Sequence, residues 1–273
     1  MEQNKIRITG IEETPFHTLT YHRLDEAGKL EQAELPFLKL FVDYLPDGLD
    51  VIVACADLQG RWRDGTLIGS IVAAELEILS QMEQLPTAKK TGILLCGDFF
   101  SREGLDRRGG TGDVSDVWRS FAKRFRWCVG VAGNHDIFSA MPDEKAFNKF
   151  KNDEGIHFLD ASYIEKDRLK IFGISGIIGN PRKVFRKTEE SFIGILKSSF
   201  QKNPDILLLH EGPDIPDLKY DGNPLIRKSL ESKNPLLLIC GHKHWENIYI
   251  QFDELIQVVN AHERVLVFLK DTK

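Results

Sequence analysis

The chain has 273 residues, 42% hydrophobic and 28% charged, a length and balance that suit a sizeable buried core and exclude disorder, collagen and coiled coil. Lys plus Arg number 36 against 41 for Asp plus Glu, a formal net charge of −5. That sign disfavours a protein that coats long phosphate backbones, so extended nucleic-acid binding is not expected, although local basic loops remain open.

The N-terminal residues MEQNKIRITG have no apolar h-region, so no cleaved leader is visible and a cytoplasmic location is expected. Residues 6–8 and 17–22 alternate in strand fashion, and Glu26-Ala27-Gly28-Lys29 supplies a turn into residues 30–35. This reads as an N-terminal strand or hairpin annex within residues 1–49 of one domain spanning 1–273. Between Pro36 and Leu45, Phe37, Leu40, Phe41 and Tyr44 recur at helical spacing before Pro46-Asp47-Gly48 breaks the run. An apolar strand, residues 51–56, follows. Leu67, Ile71, Val72, Leu76 and Leu79 then predict an amphipathic helix, residues 92–96 a strand, and Val114, Val117, Trp118, Phe121 and Phe125 a second helix.

Residues 127–131 read as a strand, Phe147 and Phe150 as the apolar side of a short helix, and two strands flank the polar turn Glu165-Lys166-Asp167-Arg168. A helix carrying Phe192, Ile193, Leu196 and Phe200 leads into a strand at 206–209, and residues 236–240 form a last buried strand. Residues 248–250, 255–259 and 265–269 are expected to form an antiparallel meander. The longest apolar runs, 51–56 and 236–240, fall far short of the roughly 20 residues of a spanning helix, so no membrane contact is expected. Cys55, Cys96, Cys128 and Cys240 lie in separate apolar segments without CxxC pairing, as reduced core thiols do. Alternating strands and helices with extra strands at the ends make the class α/β, with a mixed sheet or two stacked sheets.

In such sheets functional groups collect just beyond the carboxyl ends of strands. Here VIVACA is followed by Asp57-Leu58-Gln59-Gly60, GILLC by Gly97-Asp98, CVGVA by Gly133-Asn134-His135-Asp136, ILLL by His210, and LLLIC by Gly241-His242-Lys243-His244. Carboxylate, amide oxygen and imidazole are ligands for divalent cations of borderline hardness, and an adjacent Gly lets the backbone turn sharply off the strand. Each turn alone is ordinary loop chemistry. Five in register at strand ends point to a metal site.

In this order, Asp57 to His244, the chain resembles the calcineurin-like metallophosphoesterase superfamily, whose motifs run D-x-H, G-D-x-x, G-N-H-D/E, H and G-H-x-H. The resemblance implies a four-layer α/β/β/α sandwich with two central mixed β-sheets and two divalent ions, with Mn, Fe, Ni and Zn the candidates. It implies that Asp98 bridges the ions, that Asp57 and His244 hold one, and that Asn134, His210 and His242 hold the other. Gln59 stands where the family pattern has His. Its amide oxygen is a weaker donor than an imidazole, and it either ligates the first ion or hydrogen-bonds a water on it.

The activity implied is metal-dependent hydrolysis of a phosphoester, with His135 as general acid and Asp136 fixing its orientation. The single His of GNHD and the short interval between the first two motifs look like the small phosphodiesterase branch, which favours a phosphodiester. Arg61, Arg63, Arg102, Arg107 and Arg108 follow two of the ligand turns and suit a second phosphate or the rest of a nucleotide, and Trp62 suits stacking on a base. The competing reading is a solvated loop in which Arg102, Arg107 and Arg108 pair with Glu103, Asp106 and Asp113. The glycine-rich residues 107–112 suit a lid, and no P-loop pattern is present. A nuclease or end-processing phosphatase, and a scaffold with a decayed metal site, are the alternatives. His17, His22, His157 and His262 lie outside the strand-end set and are expected to have no part in it.

Overall fold

A computed structural model of the chain describes residues 5–24, 29–102, 110–139 and 143–272. The N-terminal strands are β1 (Ile8–Ile11), β2 (His17–Leu24) and β3 (Leu30–Val42), followed by β4 (Val51–Ala56), helix α1 (Ile68–Gln81) and β5 (Thr91–Leu95). Next come β6 (Gly112–Asp113), α2 (Ser115–Arg124), β7 (Trp127–Gly130), β8 (Asp136–Ile137), α3 (Glu144–Lys151) and β9 (Ile156–Phe158). The C-terminal half comprises β10 (Ser162–Lys166), β11 (Leu169–Ile174), β12 (Ile177–Ile178), β13 (Arg186–Lys187), α4 (Glu189–Gln201), β14 (Ile206–Glu211) and α5 (Pro224–Ser229). It ends with β15 (Leu236–Gly241), β16 (Tyr249–Gln251), β17 (Ile256–Asn260) and β18 (Arg264–Lys270). Among the described residues no helix is long and apolar enough to cross a membrane.

Two sheets dominate. The first runs β1-β3-β18-β4-β5-β7-β9 with β2 added to β3, and the second runs β10-β11-β14-β15-β17-β16. Strands β4, β5, β7 and β9 are mutually parallel, as are β11, β14, β15 and β17. The apolar runs are continuous because both faces of these strands are covered. In β4, Ile52, Ala54 and Ala56 face the layer between the sheets, while Val51, Val53 and Cys55 face the helices. In β14, Ile206 and Leu208 face the same inner layer, and Leu207 and Leu209 pack with α4 and α5. The result is a four-layer α/β/β/α sandwich with two mixed sheets.

Helix α1 buries Ile68, Val72, Ala73, Leu76 and Leu79, spaced three and four apart, and α2 buries Val117, Trp118 and Phe121. Asp143, Thr188 and Asn223 cap α3, α4 and α5 by accepting backbone N–H bonds. Trp118 meets Phe138, Phe150 and Phe158 at ring distances of 5.7, 5.6 and 5.8 Å. This aromatic knot includes Phe138, two residues past Asp136.

Two local expectations give way to tertiary pairing. The segment at 36–45 is not a helix: residues 37–42 complete β3, flanked by β18 on one side and β1 on the other. Buried residues at 37, 38, 40 and 42 serve a doubly paired strand as well as a helical stripe, and long-range hydrogen bonding decides. Pro36 lies just ahead of the stretch that pairs with β18, where a strand tolerates a residue without an N–H. The C-terminal meander stops after β16 and β17. β18 instead leaves for the first sheet, antiparallel to β4 and parallel to β3. The hairpin of β2 and β3 is present, and through β3 it becomes part of the first sheet rather than an appendage.

Phe150 is fully buried in the aromatic knot, so Phe150→Ala is expected to cost about 3–5 kcal/mol. Urea unfolding checks this, and a loss below about 1 kcal/mol, the scale of a surface change, would show that the knot is not a packed core.

Candidate metal centre

The carboxyl ends of β4, β5 and β7 in one sheet and of β14, β15 and β17 in the other meet along one edge of the sandwich. Asp57, Asp98 and His242, each just past a strand, adopt left-handed backbone with φ of 54°, 59° and 68°. Non-glycine residues rarely do so, and such strain concentrates where a side chain must be aimed. Close approach explains two neighbouring glycines. A Cβ on Gly133 would run into the Asp98 carboxylate, and one on Gly241 into the Asp57 carboxylate.

Asp57 and Asp98 are 5% and 3% exposed. Asp57 Oδ2 accepts the His242 N–H at 2.8 Å, and Asp98 Oδ1 accepts the His135 N–H at 2.8 Å. His210 is wholly buried and donates Nδ1–H to the Cys96 carbonyl at 2.8 Å, so Nε2 is the nitrogen that carries the lone pair when the ring is neutral. That nitrogen is 3.2 Å from Asp98 Oδ2 yet makes no aligned hydrogen bond. Asn134 Oδ1 is likewise buried without a partner. Donor atoms of Asp98, His210 and His242 all lie within 4.8 Å of one another. Buried acceptors and lone pairs left without donors are what a divalent cation would satisfy, so these residues fit one.

The electrostatics follow from crowding. Burial, opposed by the His210 charge, raises Asp57 well above the usual carboxylate range. Burial also acts on Asp98, but the neighbouring His210 charge overrides it and holds that carboxyl down at about 2. His210 is raised to about 10: burial opposes its charge, and Asp98 outweighs burial. Burial and the His210 charge push His242 down to about 3. Asp98 thus favours a proton on the His210 ring, and a metal bound at Nε2 would take the place of that proton.

Asp136, expected to orient the His135 ring, does something else. Its carboxylate accepts the backbone N–H groups of Asp98 (2.8 Å), Phe99 (2.9 Å) and Gly133 (2.8 Å). The His135 ring instead has Nδ1 3.4 Å from Thr111 Oγ1. Burial and the Asp98 charge raise Asp136 to about 6.

The arginines divide. Arg61 bonds the Ser101 carbonyl at 2.7 Å and the Gly65 carbonyl, so it ties the two loops together. Arg63 and Arg102 are exposed, and Arg107 and Arg108 lie outside the described residues, as does the first half of the glycine-rich 107–112 segment. Trp62 is partly buried against the core instead of standing free. Gln59 is half-buried and His244 exposed. Cys55, Cys96 and Cys240 are free, fully buried thiols, and burial raises all three.

His262, set aside in the sequence, belongs to this edge. Residue 262 bridges to Ala56 at the end of β4, and its Nε2 is 4.0 Å from Asp57 Oδ1. Its ring is 5.6 Å from that of His244, and donor atoms of His244, His262 and Glu263 lie within 4.8 Å of one another. The signal was available: Ala261-His262 follows the buried run 256–260 as the other polar residues follow theirs. The meander reading of the tail concealed it.

Residues 51–246 match the model of the family described as calcineurin-like phosphoesterase. No curated protein matches the sequence. Similar solved structures include one aligned over 79% of this chain and 90% of its own, with TM-score 0.53 and 13% identity, a likeness of fold alone. Others are the phosphopantetheinyl hydrolase of Mycobacterium tuberculosis (78% and 88% covered, TM-score 0.46, 11% identity) and a protein of unknown function from Aquifex aeolicus (80% and 95%, TM-score 0.36, 16% identity). Because the family match spans most of the chain and takes in every strand end from Asp57 to His244, the chain belongs to the calcineurin-like phosphoesterase family.

Proposed function

We propose that this chain hydrolyses a phosphoester, a phosphodiester in preference to a monoester, with a water activated at a dinuclear metal site. The observation that carries this reading is the pair of buried, unpartnered ligand atoms, His210 Nε2 and Asn134 Oδ1, set among two buried carboxylates. Family membership supports metal-dependent phosphoester hydrolysis in general. Two divalent ions, when bound, neutralise the nonbridging oxygens, lower the pKa of a water and align attack with the leaving group.

The chain's own residues do the rest. Asp98 would hold both ions, with Asp57 and His244 serving one and Asn134, His210 and His242 the other. Mn, Fe, Ni and Zn all suit such a mixed oxygen and nitrogen set. His135 is tied to Asp98 through its backbone N–H. It holds a proton for the leaving oxygen as the bond from phosphorus to that oxygen breaks. Asp136 is a positioning residue: by gathering three backbone N–H groups it holds the turns of Asp98 and Gly133 against each other. Arg63 and Arg102 are exposed on loops after Asp57 and Asp98, which supports a role in meeting the remainder of the substrate, a nucleotide among the candidates.

Three outcomes follow. Metal-reconstituted Asp98→Ala should lose at least one of roughly two metal equivalents and its hydrolysis of a nitrophenyl phosphodiester; elemental analysis showing both ions retained would sink the shared-ligand assignment, and a wild-type rate no higher than the variant's would sink the activity. His135→Ala should lower kcat by about 100-fold or more on an alkyl leaving group, and less on nitrophenolate, with metal content unchanged. Equal losses on both would remove the general acid role. Asp136→Asn keeps one acceptor oxygen and adds an NH₂ facing N–H donors, so urea unfolding should show a loss of about 1.5–3 kcal/mol; unchanged stability would contradict the positioning role.

A further inference from the structure

We propose that His262, and not Gln59, supplies the imidazole that completes the ligand set around Asp57 and His244. The inference rests on the dinuclear reading above and concerns which residues of this chain fill its first site.

Position 59 offers only an amide oxygen, a weak donor toward the borderline metals that the other ligands suit. An imidazole reaches the same edge from the far end of the chain. His262 Nε2 lies 4.0 Å from Asp57 Oδ1. Two donors that each sit about 2.0–2.2 Å from one ion can be at most about 4.4 Å apart, so one ion fits between them. The His244 ring centroid lies 5.6 Å from that of His262, and donor atoms of the two rings come within 4.8 Å of each other. The other His262 nitrogen, Nδ1, is buried and has no hydrogen-bond partner, so nothing in the protein yet claims the ring.

The backbone holds His262 there firmly. Ala261 donates its N–H to the Cys240 carbonyl at 2.7 Å, His262 to Asn260 Oδ1 at 3.1 Å, and Glu263 to the Ala56 carbonyl at 3.1 Å. The corner is therefore stitched to the ends of both β15 and β4. Asn260 Nδ2 also donates to the Lys243 carbonyl at 2.8 Å, which fixes the corner against the turn bearing His242 and His244. Beneath it, the buried guanidinium of Arg264 bonds the carbonyls of Trp245 and Glu246. Glu263 is the third potential ligand of this group, but Arg23 Nη1 binds its carboxylate at 2.9 Å. That leaves His262 as the available donor.

The test is Mn²⁺ binding to the full chain, read by elemental analysis and by electron paramagnetic resonance of coupled and isolated ions. Wild type should take up two equivalents with a spin-coupled signal. His262→Ala should weaken the second equivalent by more than about 10-fold, the scale on which metal sites respond even to loss of a partner of a ligand, and show isolated Mn²⁺. Gln59→Ala should keep both ions and their coupling. The double variant Gln59→His/His262→Ala should recover the second ion, because it moves the imidazole back to position 59, and this recovery would show that the single variant had not merely lost its fold. His262→Gln provides the same reading if the alanine variant is insoluble. Two coupled ions of wild-type affinity in His262→Ala, or loss of one in Gln59→Ala, would overturn the assignment while leaving the dinuclear reading intact. A wild-type chain that binds no Mn²⁺ would overturn both.

Discussion

Burying the Asp57 and Asp98 carboxylates side by side is the constraint on which the rest of this structure depends. Each is almost inaccessible to water, and isolated buried charge is costly unless it is paired or bound to metal. The protein answers with backbone N–H groups of His242 and His135, and with the His210 ring. None of these donors reaches the buried Asn134 amide oxygen, which is left without a partner. The local backbone is bent to hold this arrangement, with three left-handed residues at the site. A fold that bears such strain and leaves polar atoms unmatched fits a ligand that supplies positive charge.

The sandwich makes that burial workable. Stacking two mixed sheets whose central strands run parallel brings six strand ends to one edge, so polar residues scattered between Asp57 and His262 meet there. The inner layer of Ile52, Ala54, Leu94, Val129, Leu208, Ile239 and Val259 keeps the sheets in contact beneath the site. Small thiols, Cys96 and Cys240, lie two residues before Asp98 and His242, where little room is left. A Cβ on Gly212, for instance, would already strike the Cys240 sulfur. The aromatic knot around Trp118 anchors Phe138, two residues past Asp136, in the buried core.

Much of this was legible residue by residue. VIVACA, GILLC and LLLIC read as strands because both faces of each are covered, and the polar residues that follow them could be collected without knowing how the strands are arranged. Asp136 shows where such reading stops: its type and place suggested a partner for the His135 ring, but three backbone N–H groups claim its carboxylate, and backbone donors leave no mark in the sequence. Arg61 is similar. Placed after a ligand turn, it looked poised for substrate, yet two carbonyls hold it.

The sequence by itself determined the alternation of strands and helices, the buried faces and the order of ligand-type residues from Asp57 to His244, because each depends on neighbours a few positions away. Only the tertiary structure decided that residues 37–42 are a strand between β1 and β18, and that β18 crosses to the first sheet instead of closing a meander. The same crossing carries His262 to the end of β4, beside Asp57. Pairing between Ala56 and residue 262 joins segments from opposite ends of the chain, and no local periodicity encodes which sheet edge a departing strand will find.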